Sequence, residues 1–180
     1  MKRSAHAALA LAAVMVLPAC ATTEWGTAMD VPRHVELRLE PAAWTLANSQ
    51  GDARLSMREY VPAGESLERW TRFVSVQTFS DARVPFPGAR WAMSECRALL
   101  QTRCPGATWT LLSEAPDDGT YEWRISGCPG QPDQHEVGRI LRLGGTWARV
   151  TFTVQGRMDP ATREEWLRRL GETRLVAGAW

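Results

Sequence analysis

Lysine is all but missing from this chain: Lys2 stands alone, and every other basic side chain is arginine or histidine. A GC-rich coding sequence, which favours arginine codons, accounts for that more simply than a demand for guanidinium chemistry. The arginines do not gather into a patch, so the charge pattern gives no support for a nucleic-acid partner. Long apolar runs are missing too. The longest, AALALAAVMVL from Ala7 to Leu17, falls well short of the roughly 20 residues a spanning helix needs. Histidine is scarce, with only His34 and His135 beyond the first 20 residues. The stretch PDQHE brings Asp133, His135 and Glu136 together, but its spacing matches no familiar metal site and it reads as a solvated turn entering a strand. No G-x-S-x-G, no glycine-rich phosphate loop and no cysteine in a local catalytic signature occur. These absences leave an enzyme without positive support but do not exclude one, and no catalytic residue, metal ligand or cofactor is assigned. Internal repeats and low-complexity tracts are also lacking.

The N-terminus is more informative. Met1, Lys2 and Arg3 form a short positive segment, the apolar run follows, and Leu17-Pro18-Ala19-Cys20 closes it. This order and length suit a signal peptide, and the last four residues resemble the lipobox of bacterial lipoproteins. The resemblance implies cleavage before Cys20, a diacylglycerol thioether on its sulfur and acylation (palmitate) of its new amino group. An ordinary secretory signal with a chance cysteine is the competing reading. Several acyl chains at about 0.8 kcal/mol per buried CH₂ make a firm membrane anchor. Residues 1–19 are then a signal peptide, 20–33 a lipidated tether and 34–180 a single globular domain. The expected location is the cell envelope, facing the periplasm. Ala21, where an Asp would favour inner-membrane retention, tilts this toward the outer membrane. Of 21 basic residues, removal of Lys2 and Arg3 leaves 19 against 20 acidic ones, a net charge of −1. The 9 tryptophans are spread evenly along the chain, which fits one or two packed per element better than an aromatic sugar-binding strip.

Along the domain, His34–Glu40 alternates as a strand and Pro41 breaks it. Arg54–Val61 alternates again. AGESLERWTRF carries a Leu67/Trp70/Val74 helical stripe, and Val74, Val76 and Thr78 then switch to strand spacing. Pro85 and Pro87 mark a loop. Ala89–Arg103 reads as a helix with Ala92, Met93, Cys96, Leu99 and Leu100 on its buried face. Trp109–Ser113 and Tyr121–Gly127 flank a turn at Asp117-Asp118, and Tyr121, Trp123 and Ile125 share a face. Glu136–Leu143 and Thr146–Val154 meet at Gly144-Gly145, which sets Leu141 opposite Ala148 and Arg142 opposite Trp147. Asp159-Pro160 caps a last helix with Trp166, Leu167 and Leu170 inside, Glu164–Arg168 and Glu165–Arg169 as exposed pairs, and Gly171 as its end. The expected fold is α+β: an antiparallel sheet of about six to seven strands with three helices packed on it.

With Cys20 lipidated, Cys96, Cys104 and Cys128 remain. The turn at Asp117-Asp118 sets Cys128 opposite residue 107, and Pro105-Gly106 can fold Cys104 back toward it. Cys104–Cys128 is therefore the favoured disulfide, with Cys96–Cys104, Cys96–Cys128 and no bond left open. Cys96, on the apolar stripe of a helix, reads as a buried thiol. Arg139 falls on the apolar face with Val137 and Leu141, where a guanidinium must pair or snorkel. It is also a candidate anchor for an anionic ligand or partner, and Arg142 opposite Trp147 is a candidate cation–π pair with the same use.

LEPAAW, REYVPAGESLERWTRFVSVQTF, the two hairpins and EEWLRRL resemble uncharacterised proteobacterial lipoproteins, in a segment order similar to the PsbP-like α-β-α sandwich, over roughly residues 34–176. The resemblance implies a mostly non-catalytic accessory or binding role and supplies no catalytic residue. The expectation is a lipid-anchored domain that binds a protein partner in the envelope, with an immunity protein or an accessory of a secretion system as sub-cases. The competing class is a small periplasmic hydrolase or small-molecule binder using a cleft between sheet and helix.

Overall fold

The computed structural model describes residues 33–52, 54–80 and 87–178. Cys20, the tether through residue 32, and Pro85 lie outside the described residues. Among the described residues nine strands and two helices follow one another: β1 (Arg33–Glu36), β2 (Trp44–Gly51), β3 (Leu55–Pro62), β4 (Arg72–Ser80), α1 (Ala89–Arg103), β5 (Thr108–Ala115), β6 (Asp118–Ile125), β7 (Gln134–Leu143), β8 (Thr146–Gln155), α2 (Pro160–Glu172) and β9 (Arg174–Ala177). Seven of the strands form one sheet in the order β2-β3-β4-β8-β7-β6-β5, and β1 pairs with β9 in a separate ribbon. Every pairing is antiparallel.

Period-two alternation sends successive side chains to opposite faces, and here both faces are covered. Helix α1 lies over β5, β6 and β7, and α2 lies over β7 and β8, while β1 reaches β4 and β9 reaches β7. Beneath α1 the core gathers Met93, Leu100, Tyr121, Trp123, Ile140 and Trp147. Beneath α2 it gathers Val74, Val76, Val137, Val150, Phe152, Trp166 and Leu170. Phe152 and Trp166 stack at 4.0 Å, and Trp44 meets both edge-on.

The glycine hairpin has the expected register, with Leu141 opposite Ala148 and Arg142 opposite Trp147. Helix α1 has the expected bounds. Asp159 caps α2 by accepting from the Thr162 N–H at 3.0 Å, and Glu165 pairs with Arg169. Arg168 turns to Glu172 rather than Glu164, and α2 runs one residue past Gly171.

Three expectations need correction. The third helix, over AGESLERWTRF, does not form. Only a short loop separates β3 from β4, too little chain to repay helix nucleation. The Glu65 carboxylate closes that loop by accepting from the Thr71 N–H and hydroxyl at 2.6 and 2.8 Å. Residues from Arg72 onward join β4, where each one gains a neighbour on β8. Two strands, β2 and β9, escape the alternation test. Strand β2 lies on a sheet edge with nearly every side chain in water, so it carries no buried period. The first hairpin turns at Pro116-Asp117, not Asp117-Asp118: Ala115 pairs with Asp118, and a bulge between Leu111 and Ser113 shifts the register once more, to Trp109 opposite Trp123.

Candidate functional site

Pairing of β6 with β7 sets Trp123 opposite Glu136, and β7 with β8 sets Glu136 opposite Thr153. Pro132 and Asp133 are exposed, as a solvated turn entering a strand requires, while Gln134, His135 and Glu136 pass into the core, with Glu136 only 3% exposed. Its Oε1 accepts from the Tyr121 hydroxyl, the Trp123 indole N–H and the Arg149 guanidinium at 3.0, 2.8 and 2.9 Å, and its Oε2 accepts from the Thr153 hydroxyl at 2.9 Å. Arg149 Nε also donates to the Tyr121 oxygen at 2.7 Å. Burial pushes the Tyr121 phenol well above its ordinary pKa, so it remains a donor. Gly138 makes room for this ring: a Cβ there would stand 2.4 Å from Tyr121 Cζ. The buried carboxylate is thus saturated by donors, as low-dielectric burial requires. Cys96 lies half-buried nearby on α1. Burial raises its thiol pKa, the reverse of what activates a nucleophile.

A second network sits on the α2 face. His135 Nδ1 accepts from the Met158 N–H at 3.0 Å, so the proton resides on Nε2, which donates to Glu122 at 2.5 Å. Arg163 from α2 closes on the same carboxylate at 2.7 Å. The Arg163 hydrogen bond, with help from His135 and Arg124, outweighs burial and holds the Glu122 pKa down at about 2. Burial pulls His135 below its ordinary value despite its hydrogen bond to Glu122. The pair is a neutral imidazole on a carboxylate, pinning the start of α2 to β6 and β7.

Arg139 does pair. It grips Asp118 through Nε at 2.9 Å and through Nη2, while Nη1 donates to the carbonyls of Leu170, Gly171 and Thr173 at 2.6, 3.0 and 3.2 Å. A cation on the last carbonyls of α2 complements the helix dipole, so these contacts engage every nitrogen an anion would use. Trp147 is 2% exposed and stacks on Phe79 at 3.9 Å, inside the core rather than on a binding surface. Arg142 reaches the Gly144 carbonyl at 3.4 Å and Asp117 at 3.6 Å. The three residues do not converge on one site.

A cleft of about 510 Å³ opens between residues 36–40 and the end of α2, lined by Glu36, Arg38, Glu40, Arg168, Arg169, Glu172 and Arg174 among others. Its charges largely answer one another: Arg169 bridges Glu40 at 3.0 Å and Glu165 at 2.8 Å. The strongly shifted carboxylate, Glu122, is not among its lining residues.

Apolar groups left in water mark a different region. Among the described residues, the large apolar side chains most open to solvent are Leu46, Leu111, Leu112 and Leu143, and Leu111 is 49% exposed. Leu111 and Leu112 are adjacent on β5, one of the two strands that end the sheet, and β5 is solvent-facing along almost its whole length. An edge strand presents unpaired backbone groups to any chain that can align with it. The sequence carries no mark of this edge, because exposure in Trp109–Ser113 follows from strand order, which no local pattern encodes.

No protein-family model matches the chain, and no curated protein sequence does. Solved structures do. A Mog1 protein carrying an E65A substitution superimposes with a TM-score of 0.52 at 11% identity, over 79% of this chain and 91% of that one. The Ran-binding protein Mog1p of Saccharomyces cerevisiae gives a TM-score of 0.51 at 10% identity, over 78% and 89%. At such identities the likeness establishes a shared α+β fold and nothing further.

Proposed function

We propose that this chain is a lipid-anchored cell-envelope protein, held to the membrane through Cys20, that acts by binding a protein partner along the β5 edge. The observation that carries the binding half is the exposure of adjacent Leu111 and Leu112 on an end strand. A partner adding an extended segment there would satisfy backbone groups and cover both leucines. Mog1p is a Ran-binding protein, so the fold has one protein-binding use already, in that protein. The anchoring half rests on Leu17-Pro18-Ala19-Cys20. A PsbP-like sandwich serving as an immunity protein or secretion-system accessory is the specific form this reading takes, with outer-membrane placement following from Ala21.

Crosslinking in living cells tests the partner. A photoreactive residue at Leu112 is expected to capture a discrete protein, and capture at Ser49 on the opposite edge serves as the contrast. With the photoreactive residue kept at 112, Leu111→Asp should cut capture at least about tenfold; equal capture at both edges, or none, rejects the β5 assignment. Anchoring is tested separately. Cys20→Ser should lose labelled palmitate and leave the membrane fraction, and retention of both rejects the lipid.

A further inference from the structure

The tripeptide Cys-Pro-Gly occurs twice, at Cys104-Pro105-Gly106 and Cys128-Pro129-Gly130. Both copies close the same backbone hydrogen bond, though they differ at the glycine. The Ala107 N–H donates to the Cys104 carbonyl at 2.9 Å, and the Gln131 N–H to the Cys128 carbonyl at 3.1 Å. Each cysteine therefore opens a four-residue turn with Pro at the second position, where its fixed φ is suited. At the third position Gly130 takes φ 73, which glycine adopts freely. One turn follows α1 and the other follows β6. The β5–β6 pairing runs as far as Thr108 opposite Arg124, so both turns lie just past the open end of that hairpin. The displaced turn and the bulge shift the pairing by three residues from the expected one. Both thiols are buried, at 4% and 7% exposure. The two cysteines belong to one core cluster, and Cys128 Sγ reaches the carbonyl of Arg103, the residue next to Cys104, at 3.5 Å.

We propose that the paired Cys-Pro-Gly turns are a disulfide site: Cys104 and Cys128 join in an intrachain bond that fastens the end of α1 to the end of β6, and the bond is made during folding rather than after it. Cys96, half-buried midway along α1, stays a thiol. The chemistry is thiol–disulfide exchange. One thiolate attacks a small-molecule or protein disulfide and releases one thiol, and the second thiolate then displaces the other. The chain loses two hydrogens and the oxidant gains them as two thiols. The order of events follows from burial. Folding pushes the Cys104 thiol up to about 11, first through burial and then through Cys128 beside it. Less thiolate remains, and at 4% and 7% exposure neither sulfur is open to an oxidant, so exchange slows once the domain has closed. In the cell the bond needs an oxidising compartment and so rests on the envelope reading. In vitro it does not, and the two fail separately.

The full chain carrying Cys20→Ser is denatured, reduced, and refolded with reduced and oxidised glutathione. It is then alkylated without reduction and mapped by peptide mass spectrometry. The expected product is a linked Cys104–Cys128 peptide two hydrogens lighter than its parts, with the alkyl label on Cys96. Label on Cys104 or Cys128, or a link to Cys96, overturns the proposal. Chain refolded while reduced and only then given oxidised glutathione should form the bond more slowly; an equal rate overturns the folding-coupled order. The oxidised form should melt about 10 °C above both its reduced form and a Cys104→Ser/Cys128→Ser double variant, as closing a loop of roughly 25 residues predicts. Coincident melting of all three removes the fastening role.

Discussion

Under α1, one carboxylate collects donors from Tyr121, Trp123, Arg149 and Thr153; under α2, the same sheet turns Phe152 toward Trp166 and Trp44. The first face depends on complementarity, because Glu136 and Arg149 are tolerable in the core only while each has the other. The second carries its own carboxylate network at Glu122, but around Phe152, Trp166 and Trp44 it depends on volume and contact, which degrade gradually. The strands are common to both faces, so the contrast lies in which side chains each register line brings together.

The largest test of that contrast is Glu136→Ala. It leaves a buried guanidinium and three hydroxyl or indole donors without their acceptor, and should cost about 3–5 kcal/mol in urea unfolding. Phe152→Ala should cost about as much through its cavity, but the two losses differ in whether they can be repaired. Glu136→Gln combined with Arg149→Met removes both charges and keeps an acceptor for Tyr121 and Trp123, and should return to within about 1–2 kcal/mol of the parent. If the double variant is no better than Glu136→Ala, the face is held by packing after all.

Gly138→Ala comes next. Its methyl would drive into the Tyr121 ring, and a loss of about 1–3 kcal/mol is expected by the same measurement. An unchanged midpoint would mean the ring can move without disturbing the network.

A smaller effect concerns pH. His135 is held neutral, so the unfolded chain binds the extra proton below its ordinary pKa of 6.5. Stability is therefore intact above that pH and declines as pH falls beneath it. Glu122 is depressed from 4.5 to about 2, so its contribution is present above 4.5 and is lost on descending toward 2. Urea midpoints followed down through both windows should show two declines, and His135→Gln should flatten only the upper one. The smallest expectation is for Arg168→Ala. Its bridge to Glu172 is mostly solvent-exposed on both sides, and removing it should shift stability by no more than about 0.5 kcal/mol.

Local chemistry was legible wherever a signal was complete within a few residues. The bounds of α1, the Asp159 cap and the Gly144-Gly145 register all belong to that group, because a cap, a glycine pair and a 3.6-residue stripe act over short range. The Leu67/Trp70/Val74 stripe misled for the converse reason: three correctly spaced residues do not specify a helix when the last is claimed by a central strand. For the candidate sites, Arg139 was recognised as needing a partner, yet Asp118 and the three carbonyls at the end of α2 come from segments 21 to 34 residues away.

By itself the sequence determined an α+β chain with antiparallel hairpins, two of its helices, a lipobox-like N-terminus and the nearness of Cys104 to Cys128. The tertiary structure alone decided that Gln134, His135 and Glu136 are core, that β5 and β2 are the edges, that Leu111 and Leu112 face water, and that the first hairpin turns at Pro116-Asp117 with a bulge between Leu111 and Ser113. The physical reason is the range of the interactions. Turns and helix caps are settled by neighbouring backbone, whereas strand order, burial and a bulge in register are settled by contacts between segments far apart in the chain.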